Sequence, residues 1–91
     1  MITEISFSRN FEKQYANLPE NIRKKAQAWF FQVQLLGLAE VQKRPGLHDE
    51  PLKGSRTGQR SVRLNRAYRL IYWVIENRIR IEVLEVHKHD Y

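Results

Sequence analysis

The sequence predicts an α+β fold of order β-α-α-β-β-β, with two N-terminal helices packed on one face of a small antiparallel sheet. Three observations predict it. Apolar residues recur at helical spacing between Phe11 and Leu36. Strand-like runs fill the stretch from Gln59 to Val86, broken only by short turns. Between these halves lies a link punctuated by Pro45, Gly46 and Pro51. At 91 residues the chain is long enough for one domain with a modest core, expected over residues 1–91.

Each element has its own signal. Ile2 to Phe7 alternates, imperfectly, between apolar and polar and reads as a first strand. Ser8 suits a helix cap, because its hydroxyl can accept from the free amides of a first turn. Phe11, Tyr15 and Leu18 then give a short helix one apolar face. Pro19 fits the first position of the second helix, where a missing N–H costs nothing. Ile22, Ala26, Trp29, Phe30, Val33 and Leu36 form a wide apolar stripe, which reads as core. Gly37 is the expected stop, with a further turn over Leu38 to Lys43.

In the second half, Gln59 to Leu64 sets Val62 and Leu64 on one face and Ser61 and Arg63 on the other. Tyr68 to Ile75 is apolar on both faces apart from Arg69, which suits a central strand. Arg78 to Val86 alternates again. Asn65-Arg66-Ala67 and Glu76-Asn77 are short enough for hairpin turns, and Asn77 can take positive φ.

Composition narrows the function. There is no cysteine, so no disulfide or thiolate zinc site. Nothing near Met1 reads as a signal peptide, and no apolar run approaches the about 20 residues of a membrane helix. The expected compartment is the cytoplasm, with no membrane partner. The net charge of +6 is uneven. Residues 1–41 hold five cations against four anions, and residues 42–91 hold eleven against six. A localised basic patch favours nucleic acid or an acidic protein, although a solvated charged face would read the same way.

The patch is concentrated from Lys53 to Arg69, which holds Lys53, Arg56, Arg60, Arg63, Arg66 and Arg69 and no carboxylate. Parity sends Arg63 to the face away from the helices. Arg69, the lone charge of an apolar strand, either pairs with Glu82 or Glu85 on the next strand or clamps a phosphate with its planar fork. Arg56, Arg60 and Arg66 lie in or near loops, where they would steer a polyanion. Gly54-Ser-Arg-Thr-Gly58 is a glycine-bracketed turn with no Walker or dinucleotide pattern. His87 and His89 could share one side of a strand, but no third metal ligand is evident, so neither metal nor cofactor is expected.

These residues resemble a known group. The element order, the Pro51-Leu52-Lys53-Gly54-x-Arg56-x-Gly58 stretch, the Tyr68-Arg69-Leu70-Ile71-Tyr72 strand and the closing Asp90-Tyr91 are similar to the RelE/ParE toxin superfamily, most of all to its HigB branch. The resemblance covers nearly the whole chain. It implies a RelE-like fold and the toxin of a two-gene toxin–antitoxin module. RelE and HigB members cut mRNA in the ribosomal A site without metal, whereas ParE members poison DNA gyrase. Partners implied are a cognate antitoxin encoded nearby, the ribosome with its mRNA, and operator DNA reached through the antitoxin.

By the same resemblance, Lys53 matches a lysine ahead of the second strand and Arg69 the arginine that holds the scissile phosphate. Tyr91 matches a tyrosine that orients a base near the cut, and His89 falls where related toxins place a histidine. Arg56, Arg60, Arg63, Arg66 and His87 are then the RNA-binding candidates. The chain departs from the HigB pattern at Ala67, where that branch has an asparagine, and at His48-Asp49-Glu50, where either His48 or Glu50 stands in for its histidine. It also lacks the histidine that closes the pattern. The general base therefore stays open among Lys53, His48, Glu50, His87 and His89. Arginine is excluded from that role, since it keeps its proton at any working pH. A ParE-like gyrase inhibitor and a plain nucleic-acid-binding module remain the competing readings, the latter drawing its affinity from counterion release.

Overall fold

A five-stranded mixed sheet carries the helices on one face in the computed structural model, which describes residues 2–76 and 80–88. The elements in chain order are β1 (Glu4–Phe7), α1 (Arg9–Ala16), α2 (Glu20–Leu36), α3 (Leu38–Gln42), β2 (Glu50–Pro51), β3 (Arg60–Arg63), β4 (Tyr68–Ile75) and β5 (Arg80–Lys88). Single 3-10 turns occupy Pro45–Leu47 and Gly54–Arg56. The strand order is β1-β5-β4-β3-β2. The α+β class and the helices-on-one-face arrangement agree with the sequence reading, and the sheet differs from it in two ways.

First, the sheet is not wholly antiparallel: β1 runs parallel to β5, with Ile5 opposite Ile81 and Phe7 opposite Val83. Second, the link contains a two-residue strand, β2, that pairs antiparallel with β3 through Glu50 opposite Ser61 and Pro51 opposite Arg60. Two residues are too few to alternate visibly, which is why the sequence reads them as loop.

The local signals act as chemistry requires. Ser8 caps α1, its Oγ accepting from the Phe11 amide at 3.0 Å. The same hydroxyl donates to the Leu84 carbonyl on β5, so one side chain fastens the helix start to the sheet. Pro19 is the residue before α2, and its carbonyl accepts from the amides of Ile22 and Arg23. Gly37 ends α2 at φ 87, a conformation that side-chain-bearing residues avoid. Helix-side residues Phe11, Ile22, Ala26, Trp29 and Val33 meet Val62, Leu64, Leu70, Tyr72, Ile81, Val83 and Val86 in one core.

Opposite that core lies the sheet face that the helices leave open. Strand parity puts Ser61, Arg63, Arg69, Ile71 and Trp73 there. Ile71 pairs with Glu85 while the next residue, Tyr72, pairs with Val83, so Leu84 is the extra residue of a β-bulge in β5. The expected turn residue Asn77 and the expected strand residues Arg78 and Ile79 lie outside the described residues, as do His89, Asp90 and Tyr91. The turn after β4 begins with Glu76 at φ 59.

Candidate functional site

The β3–β4 hairpin builds the centre of the open face. Asn65 closes its turn, with Oδ1 accepting from the amides of Ala67 at 2.7 Å and Tyr68 at 2.8 Å. That turn sets the register in which Arg63 faces Arg69, and on the other side of β4 Arg69 faces His87. One row on this face therefore reads Arg63, Arg69, His87. The neighbouring row reads Glu50, Ser61, Ile71, Glu85, since partners across a ladder share a face.

Arg69 is oriented by neutral groups. Its Nε donates to the Oγ of Ser61 at 2.5 Å, and its Nη2 to the backbone carbonyl of His48 at 3.3 Å. The ion pair with Glu82 or Glu85 that the sequence allowed does not form. Glu82 accepts from the indole N–H of Trp73 at 3.2 Å, and Glu85 pairs with Arg56 at 2.5 Å. Among the described residues, no carboxylate lies within ion-pair distance of Arg69. Its charge is therefore fixed in direction and not neutralised by any described residue, which is what an anion clamp requires.

A shallow pocket of about 220 Å³ opens at this point, lined by Leu52, Arg56, Ser61, Arg69, Ile71 and His87. Arg56 reaches it from the Gly54–Arg56 turn, tied to Glu85 and, through Nη1, to Gln59 at 2.9 Å. Glu85 Oε1 also lies 3.9 Å from His87 Nε2. The pocket floor is apolar, and its rim combines two guanidiniums, an imidazole and a hydroxyl. Such a rim can hold an anion and can donate or accept a proton beside it.

The other predicted residues are distributed differently. Lys53 is exposed at the start of the 3-10 turn and does not line this pocket. Arg63, sent by strand parity to the face away from the helices, instead lines a second concavity of about 270 Å³ with Lys25, Trp29 and Gln32. Arg63 is the last residue of its strand, which lets its long side chain turn toward α2. Arg66 is exposed in the hairpin turn. His89 and Tyr91 lie outside the described residues.

Arg60 sits on the other side of the sheet. Its Nε binds Asp49 Oδ1 at 2.5 Å, its Nη2 donates to the Asp49 carbonyl at 3.2 Å, and Tyr72 donates its hydroxyl to Asp49 Oδ2 at 2.6 Å. Gln42 of α3 donates to the Tyr72 hydroxyl at 2.9 Å. Burial works to lower the Arg60 pKa, and the Asp49 carboxylate overrides it by hydrogen bond and charge, so the net shift is upward. Burial first, and then the charge of Asp49, push the Tyr72 phenol far above its ordinary range. Sequence parity carried this signal, because Arg60 is two residues from Val62 and so shares its face. Asp49 had no signal beyond its place between His48 and Glu50. Ser61 was placed on the correct face without a role.

Among the described residues, no three His, Asp or Glu side chains gather as a metal site would require. None of the described helices is long and apolar enough to cross a membrane.

No protein-family model and no curated relative matches this chain. Solved structures do. YafQ from E. coli strain BL21(DE3) is similar with a TM-score of 0.77 at 17% identity, over 94% of this chain and 92% of that one. The YoeB–YefM toxin–antitoxin heterotetramer from Staphylococcus aureus contains a chain with a TM-score of 0.70 at 26% identity, both chains covered in full. The intact E. coli RelBE toxin–antitoxin complex contains one with a TM-score of 0.66 at 21% identity, over 98% of this chain and 99% of that one. With each match spanning nearly the whole of both chains, this chain adopts the RelE-like fold of the RelE/ParE toxin superfamily.

Proposed function

We propose that this protein is the toxin of a two-gene toxin–antitoxin pair and that it cuts mRNA on the ribosome. The observation that carries the reading is Arg69, aimed by Ser61 and the His48 carbonyl and left without a carboxylate partner among the described residues. A fold shared with toxins found in complexes with antitoxins supports the partner.

The groups on the open face suit cleavage by the RNA's own 2′-hydroxyl. The hydroxyl loses a proton and attacks the adjacent phosphorus. The phosphorane's added charge is met by the Arg69 fork, and the departing 5′-oxygen takes a proton. A donor such as Arg69 is worth ~3–4 kcal/mol in the transition state. Glu50 is the best-placed base of those considered, because its register opposite Ser61 puts its carboxylate on the Arg69 side of the sheet. His87, the cross-strand neighbour of Arg69, suits the acid role, and proton transfer of this kind contributes ~10²–10⁴-fold. Arg56, Arg63, Arg66 and the exposed Lys53 hold the RNA on either side. His89 and Tyr91 complete the site in this reading, Tyr91 by stacking on a base next to the cut. The antitoxin covers the cationic face with an acidic segment and carries the complex to operator DNA. The site of action is the ribosomal A site, in the cytoplasm.

Primer extension on translated mRNA after brief induction tests the reading. Cuts within codons, lost in Arg69→Lys and in Glu50→Gln, are the expected result. Intact RNA with blocked gyrase supercoiling would overturn it in favour of gyrase inhibition. Undiminished toxicity when Arg69 is exchanged for lysine would leave only non-catalytic nucleic-acid binding.

A further inference from the structure

We propose that Asp49 is a positioning residue of this site: its buried carboxylate, held by Arg60 and Tyr72, sets the backbone of residues 48–50 so that Arg69 and Glu50 face one another's substrate. The inference rests on the reading that Arg69 and Glu50 act on RNA, and it concerns a residue that touches neither the open face nor any RNA bound there.

The geometry is a relay through a strained turn. His48 adopts the left-handed conformation, φ 45 and ψ 51, which side-chain-bearing residues avoid. Such a conformation persists only where its surroundings enforce it. On its N-terminal side the His48 amide is held by the Pro45 carbonyl at 3.2 Å. On its C-terminal side Asp49 is anchored by three hydrogen bonds at 2.5, 2.6 and 3.2 Å, with its side chain 1% exposed. The anchor spans four parts of the fold: Gln42 of α3, the link at Asp49, Arg60 of β3 and Tyr72 of β4. Asp49 thus points to the helix side while its neighbour Glu50, opposite Ser61, points to the open side. The His48 carbonyl, one residue earlier, is the acceptor for Arg69 Nη2. Both the clamp and the candidate base therefore depend on a backbone segment that the Asp49 carboxylate fixes from behind.

A merely structural Asp49 would lower stability whatever the state of Glu50, whereas a positioning Asp49 acts on cleavage through Glu50 and Arg69. The test is a cycle of wild type, Asp49→Asn, Glu50→Gln and the double variant in ribosome-bound mRNA cleavage. Asp49→Asn should lower kcat about 10²-fold with KM unchanged, the scale of loss for a small misplacement of reacting groups. In the Glu50→Gln background the further loss should be clearly smaller, being only the part that acts through Arg69. Additive losses, or an undiminished kcat in Asp49→Asn, overturn the proposal. If Asp49→Asn does not fold, Tyr72→Phe replaces it in the same cycle, because it removes one anchoring bond and keeps the ring packed on Trp29. Amide exchange at His48, Asp49 and Glu50 is the readout independent of activity. It should run about tenfold faster in Asp49→Asn (or in Tyr72→Phe in its place) while the β4 amides are unchanged. If wild type cuts no RNA, the functional reading fails alone, and the exchange measurement decides the positioning: faster exchange sustains it and equal exchange ends it.

Discussion

Arg69 donates through Nε to the hydroxyl of Ser61, 2.5 Å away, on the diagonal between β3 and β4. The contact aims a guanidinium without spending its charge. Arg69→Lys keeps the charge and loses the planar fork, so single-turnover cleavage should fall about 10²–10³-fold. Ser61→Ala should lower activity in the same direction by less. Its cost in stability should stay near ~1 kcal/mol in urea unfolding, since one hydrogen bond is lost at a partly solvated site.

Tyr72 makes the protein sensitive to alkali. Its phenol pKa is raised in the folded state by burial and by Asp49, so the folded protein keeps a proton that the unfolded chain releases above its ordinary value of 10.0. The stability tied to this proton is fully present below pH 10 and declines as pH rises above it toward the folded value. The slope is about 1.4 kcal/mol per pH unit for a single proton. Chemical unfolding at pH 9 to 11.5 should reveal this decline in wild type and a weaker one in Tyr72→Phe.

Ser8 performs two jobs with one hydroxyl, accepting from the Phe11 amide and donating to the Leu84 carbonyl. Ser8→Ala should therefore cost more than an ordinary cap, about 1–2 kcal/mol in total. The melting temperature should fall by roughly 4–8 °C per kcal/mol. A loss confined to a few tenths of a kcal/mol would mean that the bond to β5 contributes nothing.

Glu85 holds Arg56 in an ion pair on the rim of the pocket, with its own side chain only 16% exposed. RNA must compete with that carboxylate. Glu85→Gln should strengthen binding to single-stranded RNA at low salt and steepen the log–log salt dependence by about the ~0.7 that one additional phosphate contact contributes. Filter binding across a salt series measures both.

Much of this molecule can be read from residue spacing, and the exceptions have physical causes. Tyr68 to Ile75 matches β4 residue for residue, because an eight-residue apolar run between turns has few other homes. Ser8 and Gly37 bound their helices as cap chemistry dictates. The parallel pairing of β1 with β5 was not legible, since periodicity reports which face a strand buries and is silent on its neighbour. In the site, Arg69 stood out as a lone charge in an apolar strand. Arg60 was misplaced because it was grouped with the cations in or near loops that would steer a polyanion, although its distance of two from Val62 already put it on the helix side. The anchoring of Asp49 depends on Arg60, Tyr72 and Gln42, which only tertiary contact brings together.

The parallel pairing of β1 with β5 also governs when this protein can fold. Ser8 and Leu84, which meet at that seam, are 76 residues apart. At ~5–20 residues per second of synthesis, β1 and α1 wait ~4–15 s for the strand that completes their packing. Closing so long a loop is slow in any case, because its entropy is lost before the contacts form. A nascent chain therefore has no finished open face until β5 has been made, and a partner that recognises the finished sheet can act only from that point on.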